Sequence, residues 1–546
     1  MLRCPALSLL VALLFAPLSY AQAAPADGSM PHLVDDHGRY ALMVSGAPYL
    51  MLGGQINNSS TWPSQMPKVW SAVDAMHLNT VEAPIYWEQL EPMPGAYNYS
   101  AVDMLLAGAR EHHVHLVVLW FGTWKNGSPG YTPAWVKLDH TRFPYLVGKD
   151  GKRYFSMPPY NQALLELDKA AFVALMRHLK QADPQHTVLM VQVENESGVW
   201  GAARDYSAAT EKLFAQPVPA PVLKAMNKTE AGTWSEVFGE DADEYFHAYS
   251  IATYINEIAA AGKRAYPLPL YVNAALRSPL HPSRPPSFES GGPTDDVLPL
   301  WKAAAPAIDI VAPDIYLGDY PSYTRVLELY HRPDNALFVP ETGNGEAFAR
   351  YFFAAVGAQA IGWSPFGIDR TWRLPEDSER VDGDAPSPVA LNYQIVGPMQ
   401  REIAALSFAG KVRGSSEDPL THTQQLQFAP EGGVPARWEA VVSYGQGASY
   451  SSRPAPGNEK PIGGALVAQL GPDEFLVTAV HARVDFAPVT TLTGTEKPQR
   501  LWALVEEGSY LDGKWQTTRI WNGDQTDYGL NFRDRVQVLR VRLSTF

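Results

Sequence analysis

The sequence predicts an α/β chain, a (β/α)₈ TIM barrel followed by a smaller C-terminal β-rich, sandwich-like domain, and three observations lead there. Short apolar, β-rich runs alternate with stretches of helical periodicity from about Leu33 to Leu406. Eight such runs occur, and after Leu426 the pattern switches to short alternating segments between Gly, Pro and Asp turns. Eight strand and helix pairs over roughly 370 residues fit a closed parallel barrel with long insertions after its strands.

Taken in order, the predicted barrel strands are Leu50 to Gln55, Thr80 to Ile85, Leu116 to Phe121, Val188 to Val193, Leu270 to Ala274, Ile308 to Ala312, Leu337 to Pro340 and Ala360 to Ser364. Helices are predicted between them at Ala101 to His112, Lys169 to Gln181, Asp243 to Ala265 and Ala347 to Gly357, with a last one over Leu391 to Leu406. The rival architecture, an open doubly wound sheet, carries a glycine-rich first turn that opens a helix. Gly53-Gly54 lacks that spacing. The longest non-repetitive stretches, Thr123 to Leu164 and Ser197 to Asp241, follow the third and fourth strands, where barrel enzymes build the walls of their sites. Beyond the barrel, Ala440 to Tyr444, Glu474 to Val480, Leu501 to Glu507 and Val536 to Leu543 alternate as sandwich strands do.

The expected organisation is a signal peptide over residues 1–23, a catalytic barrel over 24–406 and a β-rich accessory domain over 407–546. An apolar run through Leu9, Leu10, Val11, Leu13, Leu14 and Phe15, shorter than the ~20 residues of a membrane span, leads to Ala21-Gln22-Ala23, a small-residue cleavage site. Export to the periplasm or the exterior is the expectation, with no membrane association after cleavage. The one cysteine, Cys4, falls inside the segment to be removed, which excludes disulfides, a thiol nucleophile and thiolate metal sites from the mature chain. A net charge of −14, from 57 acidic and 43 basic residues, disfavours nucleic acid and anionic lipid as partners and suits a neutral substrate.

Two strand ends carry the chemistry. The fourth strand runs straight into Glu194-Asn195-Glu196, and three consecutive polar residues at the mouth of a buried strand require partners or an open polar site. Strand alternation directs Glu194 and Glu196 to one side and Asn195 to the other. The seventh strand ends likewise in Glu341-Thr342-Gly343. Two carboxylates at the C-terminal ends of opposed barrel strands are what a retaining glycosidase needs, one protonated to donate to the leaving oxygen and one ionised to attack the anomeric carbon. Glu346 competes with Glu341 for the second role, but Glu341 directly follows the apolar strand.

Val191-Gln-Val-Glu-Asn-Glu-Ser-Gly198 resembles the strand-4 motif of the β-galactosidases of glycoside hydrolase family 35. Asn79 to Glu88, with Glu91-Pro92 and Pro94-Gly95, resembles that family's second strand and its proline-rich turn, and Pro133-Ala134-Trp135 the segment after its third strand. The resemblance implies a retaining exo-β-galactosidase acting on terminal β-D-galactose of oligo- or polysaccharides, plant xyloglucan side chains among them. It implies Glu196 as acid/base, Glu341 as nucleophile and Asn195 as the ligand of the sugar 2-OH, with no metal or organic cofactor. The chain departs from the family in Pro84, where many members have Tyr, and in Trp120 to Asn126, where they carry a glutamate-bearing loop.

Further substrate contacts are expected from strand ends: Gln55 and Asn57, Trp124 and Asn126, Asn273, Tyr316 and Trp363. Tyr316 resembles the tyrosine that hydrogen-bonds the nucleophile in barrel glycosidases. Asn57 and Asn126 also read as turn residues. His112, His113 and His115 sit between a helix and a strand at the opposite face, and neither HExxH nor a GxSxG elbow occurs. Two rival readings stand beside the β-galactosidase: a β-glucosidase of the same clan, and a non-catalytic carbohydrate-binding barrel.

Overall fold

A computed structural model describes residues 29–369, 387–430, 435–445, 459–489 and 498–546. The expected signal peptide, Cys4 and most of the polar segment after Thr371 lie outside the described residues.

The chain opens with an antiparallel sheet that the sequence reading folded into the barrel: β1 (His32–Asp36), β2 (Arg39–Val44) and β3 (Ala47–Tyr49). Eight strands then close into a barrel: β4 (Met51–Gln55), β5 (Thr80–Tyr86), β6 (His115–Lys125), β7 (Val188–Asn195), β8 (Leu270–Ala275), β9 (Ile310–Ile315), β10 (Val339–Thr342) and β11 (Gly362–Pro365). Each pairs in parallel with its sequence neighbour, and β11 closes on β4. Each overlaps a predicted run, with ends shifted by a few residues. The initial sheet plugs the bottom of the barrel, since Leu42, Val44 and Tyr49 share one apolar cluster with Val117, Leu119, Leu189, Tyr271 and Phe338 near the strands' N-terminal ends.

The helices follow the predicted periodicity with shifted ends. Gln162–Ala182 starts earlier than predicted because Asn161 caps it, its side chain accepting from the Leu164 N–H. The helix expected over Leu391 to Leu406 is broken into Pro388–Val396 and Gln400–Phe408 by a short 3₁₀ turn over Gly397–Met399, where Pro398 lacks the N–H that a continuous helix needs. Among the described residues no helix is long and apolar enough to cross a membrane.

Among the described residues, ten C-terminal strands form two antiparallel sheets. The larger holds β12 (Val412–Ser416), β15 (Gly464–Gly471), β16 (Glu474–Val480), β18 (Arg500–Leu511), β19 (Lys514–Ile520) and β21 (Leu539–Thr545). The smaller holds β13 (Thr423–Gln427), β14 (Trp438–Tyr444), β17 (Ala482–Pro488) and β20 (Leu530–Phe532). Inward residues of both, such as Trp438, Val442 and Phe486 against Val467, Phe475 and Val541, share one core, so the arrangement is a sandwich. Its strand β12 lies on the helix Tyr351–Gly357, which follows strand β10. The approach is backbone to backbone: a Cβ at Gly414 would stand 2.0 Å from the Phe353 carbonyl oxygen. Arg350 adds a hydrogen bond of 3.0 Å from Nη1 to the carbonyl of Glu417.

Candidate active site

The mouth of the barrel gathers Glu196 from the end of β7 and Glu341 from β10. One carboxylate oxygen of each, with one of Asp314, lie within 4.8 Å of one another. An oxygen-to-oxygen approach below 4.8 Å is nearer the about 5–5.5 Å between the carboxyls of retaining glycosidases than the about 6.5–9.5 Å of inverting ones.

Glu341 is buried and held by three donors. Gln55 donates from Nε2 to Oε1 at 2.8 Å, Asn195 from Nδ2 to the same oxygen at 3.3 Å, and Tyr316 donates its hydroxyl to Oε2 at 2.9 Å. Donors aimed at a carboxylate favour its ionised form, the state a nucleophile requires. Glu196 has a different environment. It is partly buried, and burial, then the charge of Glu341, push its carboxyl above the usual range, while Lys125 pulls it back. One group accepts three donors while its neighbour is biased toward the acid, so the two carboxyls stand in unlike environments.

The backbone makes that arrangement possible by abandoning the pleat. Glu194 and Glu196 have φ of 63° and 41°, left-handed values that non-glycine residues rarely adopt. The expected alternation is therefore corrected: Asn195 and Glu196 both enter the site, and Glu194 turns away. Glu194 accepts the N–H groups of Thr123 at 3.1 Å and Trp124 at 2.7 Å, beside buried Asp168. Burial lifts both of these carboxyls, so the pair retains a proton and serves the scaffold. Asn273 secures the strained residue, accepting the Glu196 N–H on Oδ1 at 3.0 Å.

The other expected contacts divide. Gln55, Asn195, Asn273 and Tyr316 all converge on the carboxylate pair. Trp124 and Trp363, expected as substrate contacts, are corrected by their burial: they are 1 % and 0 % exposed. Each indole N–H is also engaged, Trp124 with the Met157 carbonyl at 3.1 Å and Trp363 with the Tyr323 hydroxyl at 2.9 Å. Asn57 is likewise buried, donating from its backbone and its Nδ2 to Asp369 Oδ1 at 3.1 and 2.6 Å, which ties the loop after β4 to the one after β11. Asn126 is an exposed turn residue at φ 52°. Both therefore shape loops instead of touching the carboxylates. Glu346 lies outside the pair, bridged to Lys460 of the sandwich at 2.9 Å. His112 stacks on Trp70 and binds Asp74, and His115 lies at the start of β6, at the far end of the barrel.

Sequence reasoning missed three groups. Lys125 is buried and donates from Nζ to Asn195 Oδ1 at 2.7 Å, which fixes the amide so that its Nδ2 faces Glu341. Asp314, 3 % exposed, accepts Asn273 Nδ2 at 2.6 Å. Glu289, buried under the loops after β6 and β7, is pushed well up by burial and then by Glu196. A Cβ on Gly127 would come within 2.3 Å of its Oε1. The available signal for Asp314 was its place two residues before Tyr316; for Lys125 it was its adjacency to Trp124.

Residues 389–533 match a family described as a domain of unknown function, DUF5597. A β-galactosidase of Xanthomonas manihotis is 28 % identical over 232 residues, 39 % of this chain and 35 % of that protein, so the match spans about a third of the relative's length. A β-galactosidase structure from Bacillus circulans sp. alkalophilus aligns with a TM-score of 0.48 at 14 % identity, over 65 % of this chain and 57 % of that one. A catalytic mutant of a GH42 β-galactosidase from G. stearothermophilus aligns at 0.46 and 13 % identity, over 66 % of this chain and 59 % of that one.

Proposed function

We propose that this chain is a retaining glycoside hydrolase, an exported exo-β-galactosidase related to family 35 that releases terminal β-D-galactose from oligo- or polysaccharides. The observation that carries the reading is the close pair of carboxylates in unlike environments, Glu341 held by Gln55, Asn195 and Tyr316 and Glu196 biased toward its protonated form. Glu341 attacks the anomeric carbon while Glu196 gives its proton to the leaving oxygen; Glu196 then takes a proton from water, whose oxygen displaces Glu341 with retained configuration. Asn195, with Nδ2 directed at the nucleophile, is suited to hold the sugar 2-OH. The galactose preference is supported by the strand-4 motif and by the partial match to the Xanthomonas enzyme.

The test is hydrolysis of p-nitrophenyl β-D-galactoside beside the β-glucoside, β-mannoside and β-xyloside, by wild type, Glu196→Gln and Glu341→Gln. Dominant galactoside turnover that both substitutions abolish supports substrate and mechanism together. Preference for another glycoside rejects galactose, and an active Glu341→Gln places the nucleophile elsewhere.

A further inference from the structure

Asp314 ends β9 with its carboxyl in the middle of the site. Its Oδ2 accepts Asn273 Nδ2, whereas Oδ1 is buried without a hydrogen-bond partner. The same Asn273 amide accepts the Glu196 N–H on its other end, so one side chain joins Asp314 to the strained backbone of Glu196.

Three carboxyls with an oxygen of each inside 4.8 Å cannot all be ionised in a buried site. Glu341, with three donors, is the one built to carry charge. The groups facing the trio are Lys125 from β6, the carboxyls of Glu82 from β5 and Glu289 from the loop after β8, and the phenols of Tyr271, Tyr316 and Tyr330. Lys125 is the one cation among them, and its Nζ is committed to Asn195. Burial, then Glu341 and Glu196, hold Asp314 well above the carboxylate range.

We propose that Asp314 is a positioning residue for the acid/base, a carboxylic acid that stays neutral through the cycle and donates from Oδ1 to the Glu196 carboxylate each time Glu196 has lost its proton. The inference rests on the glycosidase reading above. In the first step the Glu196 proton goes to the leaving oxygen as that C–O bond breaks and the Glu341 oxygen bonds to the anomeric carbon. Asp314 keeps its own proton and hydrogen-bonds the new carboxylate. In the second step water protonates Glu196, its oxygen takes the anomeric carbon, and Glu341 departs as a carboxylate. Asp314 ends as it began.

The experiment is the pH profile of kcat/KM on p-nitrophenyl β-D-galactoside for wild type, Asp314→Asn and Asp314→Leu. The asparagine preserves both contacts at the same charge, its oxygen for Asn273 and its amide N–H for Glu196. It is expected to lower kcat about tenfold, the amide being a weaker donor, and to leave the basic limb within ~0.3 pH units of wild type. The leucine removes the donor, so its basic limb moves up and kcat falls at least ~100-fold. A basic limb that moves down by about a unit in Asp314→Asn means that a negative charge was removed, and overturns the proposal. So does an unshifted limb in Asp314→Leu; if one variant fails to fold, the other decides. Infrared difference spectra of wild type and Asp314→Asn without substrate give a readout independent of activity. Loss of a protonated-carboxyl band at pH 7 supports a neutral Asp314, and loss of a carboxylate band refutes it. A wild type inactive on every aryl glycoside would sink the glycosidase reading, and the infrared result would still stand.

Discussion

The phenol of Tyr316, directly after strand β9, donates to Oε2 of Glu341 on the neighbouring strand β10 at 2.9 Å. Burial, Glu341 and Asp314 push that phenol far up, so it remains a donor at every working pH. A hydrogen bond to a charged group contributes about 1.5–3 kcal/mol. Tyr316→Phe is therefore expected to lower kcat/KM roughly ten- to 150-fold with the fold intact, as steady-state kinetics and circular dichroism would show. An unchanged kcat/KM would mean that the phenol does not support the nucleophile.

On the proposed mechanism, Glu196 acts as general acid only where the leaving group needs one. Glu196→Ala should reduce turnover of an alkyl β-galactoside by about 10²–10⁴-fold and that of a 2,4-dinitrophenyl galactoside far less in the glycosylation step. Single-turnover release of the two leaving groups measures the contrast, and equal losses would reject the role.

Lys125 opposes the upward push on Glu196. Removing that cation in Lys125→Met favours the protonated acid, so the basic limb of kcat/KM should move to higher pH by about a unit. KM should rise as well, because Asn195 loses the contact that fixes its amide. A downward shift would contradict the assigned electrostatics.

The pair that governs chemistry was more legible than the pair that sets its environment. Glu341 directly follows an apolar run, and the run of the fourth strand ends in Glu194-Asn195-Glu196, where the resemblance of the strand-4 motif, not the patterning, selects Glu196 over Glu194. Asp314 reads as loop in the sequence because Pro313 interrupts its apolar run; in the barrel the strand continues through Pro313 to Ile315. The indoles of Trp124 and Trp363 stand at strand ends, where an aromatic is either a platform or a core residue, and only packing separates the two. Lys125 was hidden differently, since its role lies in a contact with Asn195, 70 positions away.

Below the pair, buried Glu82 is pushed up to about 8 by burial, with Tyr271 donating to its Oε2 at 3.2 Å. The folded chain keeps this proton to about pH 8, while the unfolded chain releases it near the ordinary 4.5. Its stabilising contribution is complete below 4.5 and is lost as pH rises through 8. Glu82→Gln should unfold ~2–4 °C above wild type at pH 8, corresponding to about 1 kcal/mol, with little difference at pH 4.5. Calorimetry at both pH values checks this, and a gain confined to the acid side would reverse the assignment.

At the contact between barrel and sandwich, Gly414→Ala forces a Cβ onto the Phe353 carbonyl. The expected cost is about 1–3 kcal/mol, seen as a lower melting temperature. Glycosidase activity should fall before global unfolding, because the disturbed helix follows β10. A melting temperature equal to wild type would show that the two layers do not depend on this approach.

The sheet β1 to β3 fills the N-terminal end of the barrel with Leu42, Val44 and Tyr49, and Glu196 and Glu341 stand at the opposite end, the mouth. In a double displacement, the departing alcohol and the water that replaces it then share one passage. A slow-leaving alcohol would block its own successor, and under that congestion a second sugar waiting at the mouth could take the place of water.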